Sequence, residues 1–529
     1  MPTSRPNADS ELRCEEFHPS LRALVVAVSA VAATYFYFLI FAQFGFLKAL
    51  QVVVGEEGRL LRPIMAVMGG CGIAGSVWVA RVFTERRGRG LILTGFGFGG
   101  AAAGLALTAS SPAWLFVCAA LAGAGTGIIT VALAAMLRRE VGGEKLGLCL
   151  GAGTGLAYGL CNLPAFFNAG EDGQAVMGIA ACCAGSLAVQ GFEQRAPPHR
   201  ADGFDYRPGG IGGWVAVFFA LVWLDSGTFY LIQHTPVLKG GTWGGDAQLY
   251  LNAVVHAAAA LLAGLMLDRR LLDWTVFTAA SFLLVACRLI GMGPGAFATG
   301  AFFYTMGVSF YSTALVFYPA RSGRVGLAAL VYAVAGWGGS ALGIGMTKTL
   351  GAVPGKSLAI TGALLFGAFL CRTGIIRRKK RALLGGGLGL LALVWPQGDL
   401  PAQEQVEAGR KVYIAEGCIH CHSQYVRPGT GDEERWGPSR PLATLLGLTP
   451  PLLGNRRQGP DLQNVALRRA REWNRQHLIA PRLLTPGSRM PSYQYLFAGA
   501  DGRGEALLEY LASLGAPSPA GDYRAGQTR

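Results

Sequence analysis

Charge is what this 529-residue chain has little of: 15% of its residues are charged, while 52% are hydrophobic. A soluble domain carries about 25% charged residues. The shortage is local. Long apolar stretches run from about Leu21 to Trp395, and the remainder is ordinary soluble sequence. The chain therefore answers to two solvents, lipid and then water. A cleavable leader is not expected either. The first twenty residues are polar and mixed in charge, and the apolar run after them is too long for a signal peptide. That run reads as a first transmembrane helix that also targets the chain. A disulfide framework is also lacking. Cys71, Cys118, Cys149, Cys161, Cys182, Cys183, Cys287 and Cys371 are scattered through mostly apolar segments, and Cys14 lies near the start. In such segments cysteine behaves as a small hydrophobe. Only Cys418 and Cys421 have informative spacing. Nucleic acid is excluded as a partner by where the net charge of +15 sits. Much of it lies in short loops between apolar stretches, where it sets membrane orientation.

A membrane span needs about 20 mostly apolar residues. Candidates begin near Leu21, Leu60, Leu91, Ala113, Leu146, Ala175, Ile211, Leu249, Leu271, Gly295, Val325 and Lys356, which predicts twelve. Ala382 to Trp395 is a shorter, glycine-rich thirteenth, with an interfacial helix as its alternative. Loops after even-numbered spans are basic: Arg81, Arg86, Arg87 and Arg89; Arg138, Arg139 and Lys145; Arg195, Arg200 and Arg207. The same holds for Arg269 and Arg270, for Arg321 and Arg324, and for the run Arg377 to Arg381. Loops after odd-numbered spans are poorer. The alternation places the N-terminus in the cytoplasm. Twelve crossings bring the chain back inside, and the thirteenth takes it out again.

Ionisable groups inside spans are costly and mark pathways by default. Asp225 lies mid-helix in the seventh span, with Gln233 and His234 two turns on; His256 lies in the eighth. Asp225, His234 and His256 are candidates for a proton relay or a metal site, joined by Tyr304 and Tyr311 of the tenth span. The bland alternatives are a helix cap for Asp225 and an interfacial position for His234. Met65, Met68 and Met306 are candidate soft metal ligands, with core filling as the more ordinary role.

The most specific signal is Cys418-Ile419-His420-Cys421-His422. C-x-x-C-H is the attachment pattern of a c-type haem. Two thiols one helical turn apart add to the two vinyl groups, and the adjacent histidine reaches the iron. A zinc site would need two further ligands. The region has no other cysteine, and His420 and His477 are not placed as a second pair. Met490, in Thr485-Pro486-Gly487-Ser488-Arg489-Met490-Pro491, is the natural sixth ligand.

Three further stretches carry family resemblances. Gly459-Pro460-Asp461-Leu462 resembles the loop of class I cytochromes c, and by that resemblance the Pro460 carbonyl accepts a hydrogen bond from the proximal histidine. Gly504 to Gly515 resembles their terminal helix. Beyond this, Gly417–Pro438, Gly459–Leu462 and Glu472–Tyr493 closely resemble the membrane-anchored mono-haem subunit (subunit II) of cbb-type haem–copper oxidases, over about Gly409 to Phe497. The resemblance implies that Cys418, Cys421, His422 and Met490 carry the haem, with Arg427 and Arg435 near its surroundings. It also implies a periplasmic haem domain behind one transmembrane helix. The sequence departs from that family between Arg440 and Arg457. In the membrane part, twelve spans split by a basic central loop (about 190–210) resemble the major facilitator superfamily. Gly75–Gly90 resembles its loop 2–3 signature, with Arg81 and Glu85 replacing a clean Asp-Arg pair, and Gly264–Arg270 keeps Asp268 and Arg269.

The sequence thus predicts an all-α chain. A cytoplasmic tail (1–20) precedes a twelve-helix transporter-like domain (21–376). A basic loop and linking helix (377–396), a class I-like cytochrome c domain (397–515) and a tail (516–529) follow. The expected cofactor is one covalent haem c, and the expected setting is a bacterial inner membrane. The expected activity is one-electron transfer rather than stand-alone enzyme chemistry, with a periplasmic donor or acceptor such as cbb-type oxidase subunits. Three roles compete for the whole: transport of a redox-active metal (copper or iron); an electron-transfer subunit whose transporter domain is an anchor or assembly platform; and an organic-anion or siderophore transporter with a haem sensor.

Overall fold

The computed structural model describes residues 19–54, 60–109, 111–193, 208–290 and 296–350, a few positions between 353 and 367, then 402–446, 449–454, 457–499 and 501–515. Every regular element among the described residues is a helix. The chain divides into two compact units: Met1–Gly210 with His256–Leu272 and Ser312–Ala333, and Ile211–Val255 with Asp273–Tyr311 and Val334–Arg529.

The first unit opens with α1 (Leu21–Tyr37). The Ser20 hydroxyl accepts a hydrogen bond from the Ala23 N–H at 3.1 Å, a cap worth about 1 kcal/mol. The helix continues through a π-helical stretch, Phe38–Gly45, into α2 (Phe46–Val54). Then come α3 (Leu61–Val82), α4 (Glu85–Ala106), α5 (Pro112–Val141), α6 (Leu146–Cys161), the single turn α7 (Pro164–Phe167) and α8 (Glu171–Gln190). Glycine sets how closely they pack. A Cβ on Gly123 would stand 2.0 Å from the Met68 carbonyl oxygen, and one on Gly127 would stand 2.2 Å from that of Gly72. Backbones of α3 and α5 therefore touch where only glycine fits. The later part of α11 (Asp246–Asp268) belongs to this unit. There the Asp268 carboxylate accepts from the Gly147 and Leu148 N–H groups at 2.6 and 2.8 Å. It caps α6 from another helix and complements that helix's positive end. At the first-half signature, Glu85 instead pairs with Arg139.

The second unit contains α9 (Pro208–His234), α10 (Pro236–Trp243), the start of α11, α12 (Leu272–Ile290), most of α13 (Phe297–Ser322) and α15 (Gly339–Leu350). Between α13 and α15 the chain forms α14 (Val325–Leu330) and a second π-helical stretch, Val331–Gly338. A Cβ on Gly343 would lie 2.2 Å from the Trp223 carbonyl oxygen, so α9 and α15 also cross at backbone distance.

Nine of the described helices are long and apolar enough to cross a membrane, and the chain is a multi-pass membrane protein. Each of the first eleven expected spans falls on a described helix. Two of those helices stand apart from the nine. α4 opens with Arg86, Arg87 and Arg89 and is diluted by glycine, and α6 is only 16 residues long. The count of twelve is not reached among the described residues. Most of the twelfth expected segment, Lys356 included, and all of the thirteenth lie outside them.

The C-terminal part folds around its own core. α16 (Ala402–Ala415) crosses α22 (Arg503–Ser513), with Gly409 at the crossing: a Cβ there would sit 1.8 Å from the Ala506 carbonyl oxygen. Tyr413 of α16 and Tyr510 of α22 are buried with ring centroids 5.5 Å apart. Between them come α17 (Asp432–Trp436), α18 (Leu442–Leu446), α19 (Val465–Arg468), α20 (Arg471–Ile479) and α21 (Pro481–Leu484). Arg471 of α20 ties to Glu505 and Glu509 of α22 at 2.7 and 3.0 Å.

Candidate haem site and intramembrane polar residues

α16 stops at a left-handed residue, Gly417 (φ 68°), and the chain turns into a 3-10 segment, Cys418–His420. The His422 N–H then bonds the Cys418 carbonyl at 3.0 Å. This compact turn holds both thiols and the histidine together. Both cysteines are free and half-buried, and burial pushes the Cys418 thiol up to about 12. The His422 Nδ1–H donates to the Pro460 carbonyl at 2.9 Å. That bond fixes the tautomer and leaves Nε2 with its lone pair free to bind a metal. Burial holds the His422 pKa below its ordinary value, against the Pro460 bond and Asp461, which raise it. Gly459 lies flat against the imidazole: a Cβ there would stand 2.3 Å from Cε1. Met490 packs on the same core as Cys418, Ile419, Leu462 and Tyr493.

Beneath this turn runs a charged network that sequence reasoning did not find. Asp461 is fully buried and accepts from the Ser423 hydroxyl (2.5 Å), the Tyr425 N–H (2.9 Å) and the Gln463 N–H (2.8 Å). Arg457 reaches Ser423, Asp432 and the Tyr425 carbonyl, and its guanidinium lies over the Trp436 ring at 4.8 Å. Arg427 and Arg457 hold the Asp432 carboxyl well below the usual carboxylate range. The only sequence hint was the carboxylate directly after Pro460. Arg457 lies where the oxidase-subunit resemblance lapsed. Arg427 pairs with Asp432 at 2.7 Å, and Arg435 is exposed.

The residues present fit a covalent haem. Two thiols stand one turn apart, an imidazole is oriented by a carbonyl, and a thioether packs on the same core. In addition, the His477 Nδ1 is buried and has no hydrogen-bond partner among the described residues.

In the membrane part, Tyr304 donates to Asp225 Oδ1 at 2.7 Å and Tyr311 donates to Oδ2. The two tyrosines lie seven residues apart on α13 and so share one face. One turn along α9, Thr228 makes a 3.0 Å hydrogen bond with Cys287. His234 is exposed, stacks on Tyr230 at 4.1 Å and donates to that residue's carbonyl. His256 is buried and stacks on Tyr158 at 4.5 Å, whose hydroxyl meets Ser312 at 3.1 Å. No group of three or more His, Cys, Asp or Glu among the described residues is arranged to hold a metal ion. The histidine rings are engaged by aromatic neighbours, and both Asp225 oxygens accept from phenols. Met68 is buried, with its carbonyl under Gly123.

Residues 401–517 match the family described as cytochrome C oxidase, mono-heme subunit/FixO. This is a mono-haem family, and the match is to the part that carries Cys418, Cys421, His422 and Met490. No curated protein matches the chain. Among solved structures the chain is similar to the human organic anion transporter MFSD10 (TETRAN), at 15% identity and a TM-score of 0.44. The match covers 70% of this chain and 99% of that one.

Proposed function

We propose that the C-terminal domain is a c-type cytochrome that carries single electrons on the periplasmic side of a bacterial inner membrane. The observation that carries this reading is the His422–Pro460 bond beside the Cys418–Cys421 turn. Cys418 and Cys421 would hold the haem through thioether bonds, His422 would bind the iron, and Met490 would be the sixth ligand. The haem supplies reversible one-electron redox chemistry. The chain's residues supply the rest. Pro460 fixes the histidine ring, Gly459 makes room for it, and the Arg457 network holds the loop that presents it. A haem–copper oxidase core of the cbb type is the partner this family match favours. Haem staining after denaturing electrophoresis tests the reading. The parent chain should stain, and Cys418→Ala should lose most of the stain. A parent chain without covalent haem overturns it.

A second reading concerns the membrane part and rests on Asp225. A carboxylate that accepts from two tyrosines on a neighbouring helix is costly to place in a membrane, by about 3 kcal/mol. Protonation would weaken both bonds and loosen α9 from α13, which suits a transport pathway that exchanges a proton. This favours a proton-linked solute over a metal held by this cluster. Vesicle uptake of copper, iron and organic acids tests it. Asp225→Asn should abolish uptake of the transported class with the haem spectrum unchanged. If the parent moves none of them, the membrane part is an anchor.

A further inference from the structure

Shortly after Met490 the chain forms a 3-10 turn, Gln494–Phe497. Leu496 of this turn is buried in the core on which Cys418 and Met490 also pack. α22 presses on the same turn: a Cβ on Gly504 would stand 2.8 Å from the Leu496 carbonyl oxygen. The turn is therefore fixed in place. Its outer residue, Tyr495, keeps 55% of its surface exposed, yet its hydroxyl donates to Glu416 Oε2. Glu416 lies between α16 and the haem-attachment turn, just before Gly417. Its N–H bonds the Val412 carbonyl at 2.9 Å, which continues the ladder of α16. The carboxylate is only 14% exposed, and its other oxygen accepts from Arg503 at 2.5 Å. A nearly buried carboxylate with two donors is a firm anchor.

Among the described residues, this is the one hydrogen bond that joins the Met490 segment, 485–497, to the turn 416–422. The other anchors of that segment lie on α20. Tyr493 N–H donates to the Leu478 carbonyl at 2.7 Å, and the Ser492 hydroxyl donates to the Ile479 carbonyl at 2.6 Å. Arg503 and Tyr493 are the other titratable groups beside Tyr495, the Tyr493 ring with its centroid 6.1 Å away. The bond to Glu416 holds the Tyr495 hydroxyl above its ordinary pKa. The phenol therefore stays protonated up to about pH 10, and the bond persists in alkaline solution.

We propose that Tyr495 is a positioning residue for the sixth ligand: its bond to Glu416 clasps the Met490 segment to the attachment turn and keeps the thioether on the iron. The proposal rests on the haem reading above, in which His422 takes one face of the iron and Met490 the other. The clasp then closes a ring of chain through the turn, the haem, Met490 and Tyr495. A thioether that lets go inside a closed ring stays beside the iron at high effective concentration. Thioether ligation favours ferrous iron, so the clasp matters most in the ferric protein. There, raising the pH exchanges the thioether for a ligand that has lost a proton, with one proton released per iron. The pH at which the sulfur–iron band disappears therefore measures how firmly the segment is held.

The test uses the full-length ferric protein in detergent and follows the sulfur–iron charge-transfer band as the pH is raised. A pyridine haemochrome and the band of the parent at neutral pH come first, so failure of the haem reading is seen separately. Tyr495→Phe removes the hydroxyl and keeps the ring. It should keep covalent haem and lose the band at least about one pH unit below the parent, a tenfold loss in the ligation equilibrium. Arg503→Gln removes the other donor to Glu416 and leaves the clasp. It should lower the melting temperature and leave the pH of the transition unmoved. An unmoved transition in Tyr495→Phe overturns the proposal. An equal fall in both variants also overturns it, because general loosening of the domain would then explain the effect. If Tyr495→Phe does not accumulate, Glu416→Gln decides. A transition below that of Arg503→Gln supports the proposal, and one equal to it overturns it.

Discussion

The membrane helices and the C-terminal domain differ in how most of their polar side chains are satisfied. In the membrane helices, many serine and threonine hydroxyls bond to their own backbone one turn back: Thr34 to the Ala30 carbonyl, Ser76 to Gly72, Thr130 to Thr126, Thr228 to Leu224 and Ser281 to Phe277. In the C-terminal domain, polar side chains reach far along the sequence, as Asp461 does to Ser423 and Tyr425, and Gln463 to Val426. Long helices leave few backbone groups unpaired, and lipid offers no other partner, so the local carbonyl is used. Short helices joined by loops leave many backbone groups open, and side chains must close them. The lesson is that the membrane part is built from helix crossings, while the haem domain is built from loops pinned by a few buried charges. Substitutions should therefore fail differently in the two regions.

The largest contrast should come at Gly459. Gly459→Ala places a methyl 2.3 Å from His422 Cε1, and the ring cannot yield without breaking its bond to Pro460. We expect covalent haem to survive while axial ligation is lost. A high-spin optical spectrum would report this, and a parental low-spin spectrum would refute it.

Helix crossings sharpen the comparison. Gly409→Ala would meet the Ala506 carbonyl at 1.8 Å, and Gly123→Ala would meet that of Met68 at 2.0 Å. Overpacking of this kind costs about 1–3 kcal/mol. The haem domain, with one main helix crossing, should lose cooperative unfolding at a lower temperature. The membrane variant should stay inserted and change mainly its protease resistance in detergent. Equal losses of melting temperature in the two variants would erase the distinction.

Met490→Ala should be milder. Covalent haem should remain, the sulfur–iron charge-transfer band should disappear, and the reduction potential should fall because thioether ligation favours ferrous iron. Redox titration beside the optical spectrum checks both.

The smallest effects are those of pH, and two carboxylates of the haem domain have opposite signs. Asp432 is depressed by Arg427 and Arg457. Its contribution is present above the unfolded carboxylate value of about 4 and is lost as pH falls through the folded value. Burial raises Glu472 to about 7, against the pull of Arg475 and Gln476. Its contribution is present below about 4 and is lost as pH rises through about 7. Melting curves between those limits should show Asp432→Asn losing stability at neutral pH but not at low pH. Glu472→Gln should flatten the decline between pH 4 and 7.

The sequence by itself determined what depends on neighbours in the chain. Apolar runs of sufficient length become helices, because a backbone in lipid must pair its own polar groups. Cys418, Cys421 and His422 stand on one turn, because their spacing is local. Tertiary structure alone decided the contacts that join distant positions. These include Arg457 beneath Trp436, Asp461 under the Cys418 turn, and the stacking of His477 on Trp473. No periodicity encodes such contacts, because a hydrogen bond depends on position in space within a few tenths of an ångström, and only the packed fold fixes that.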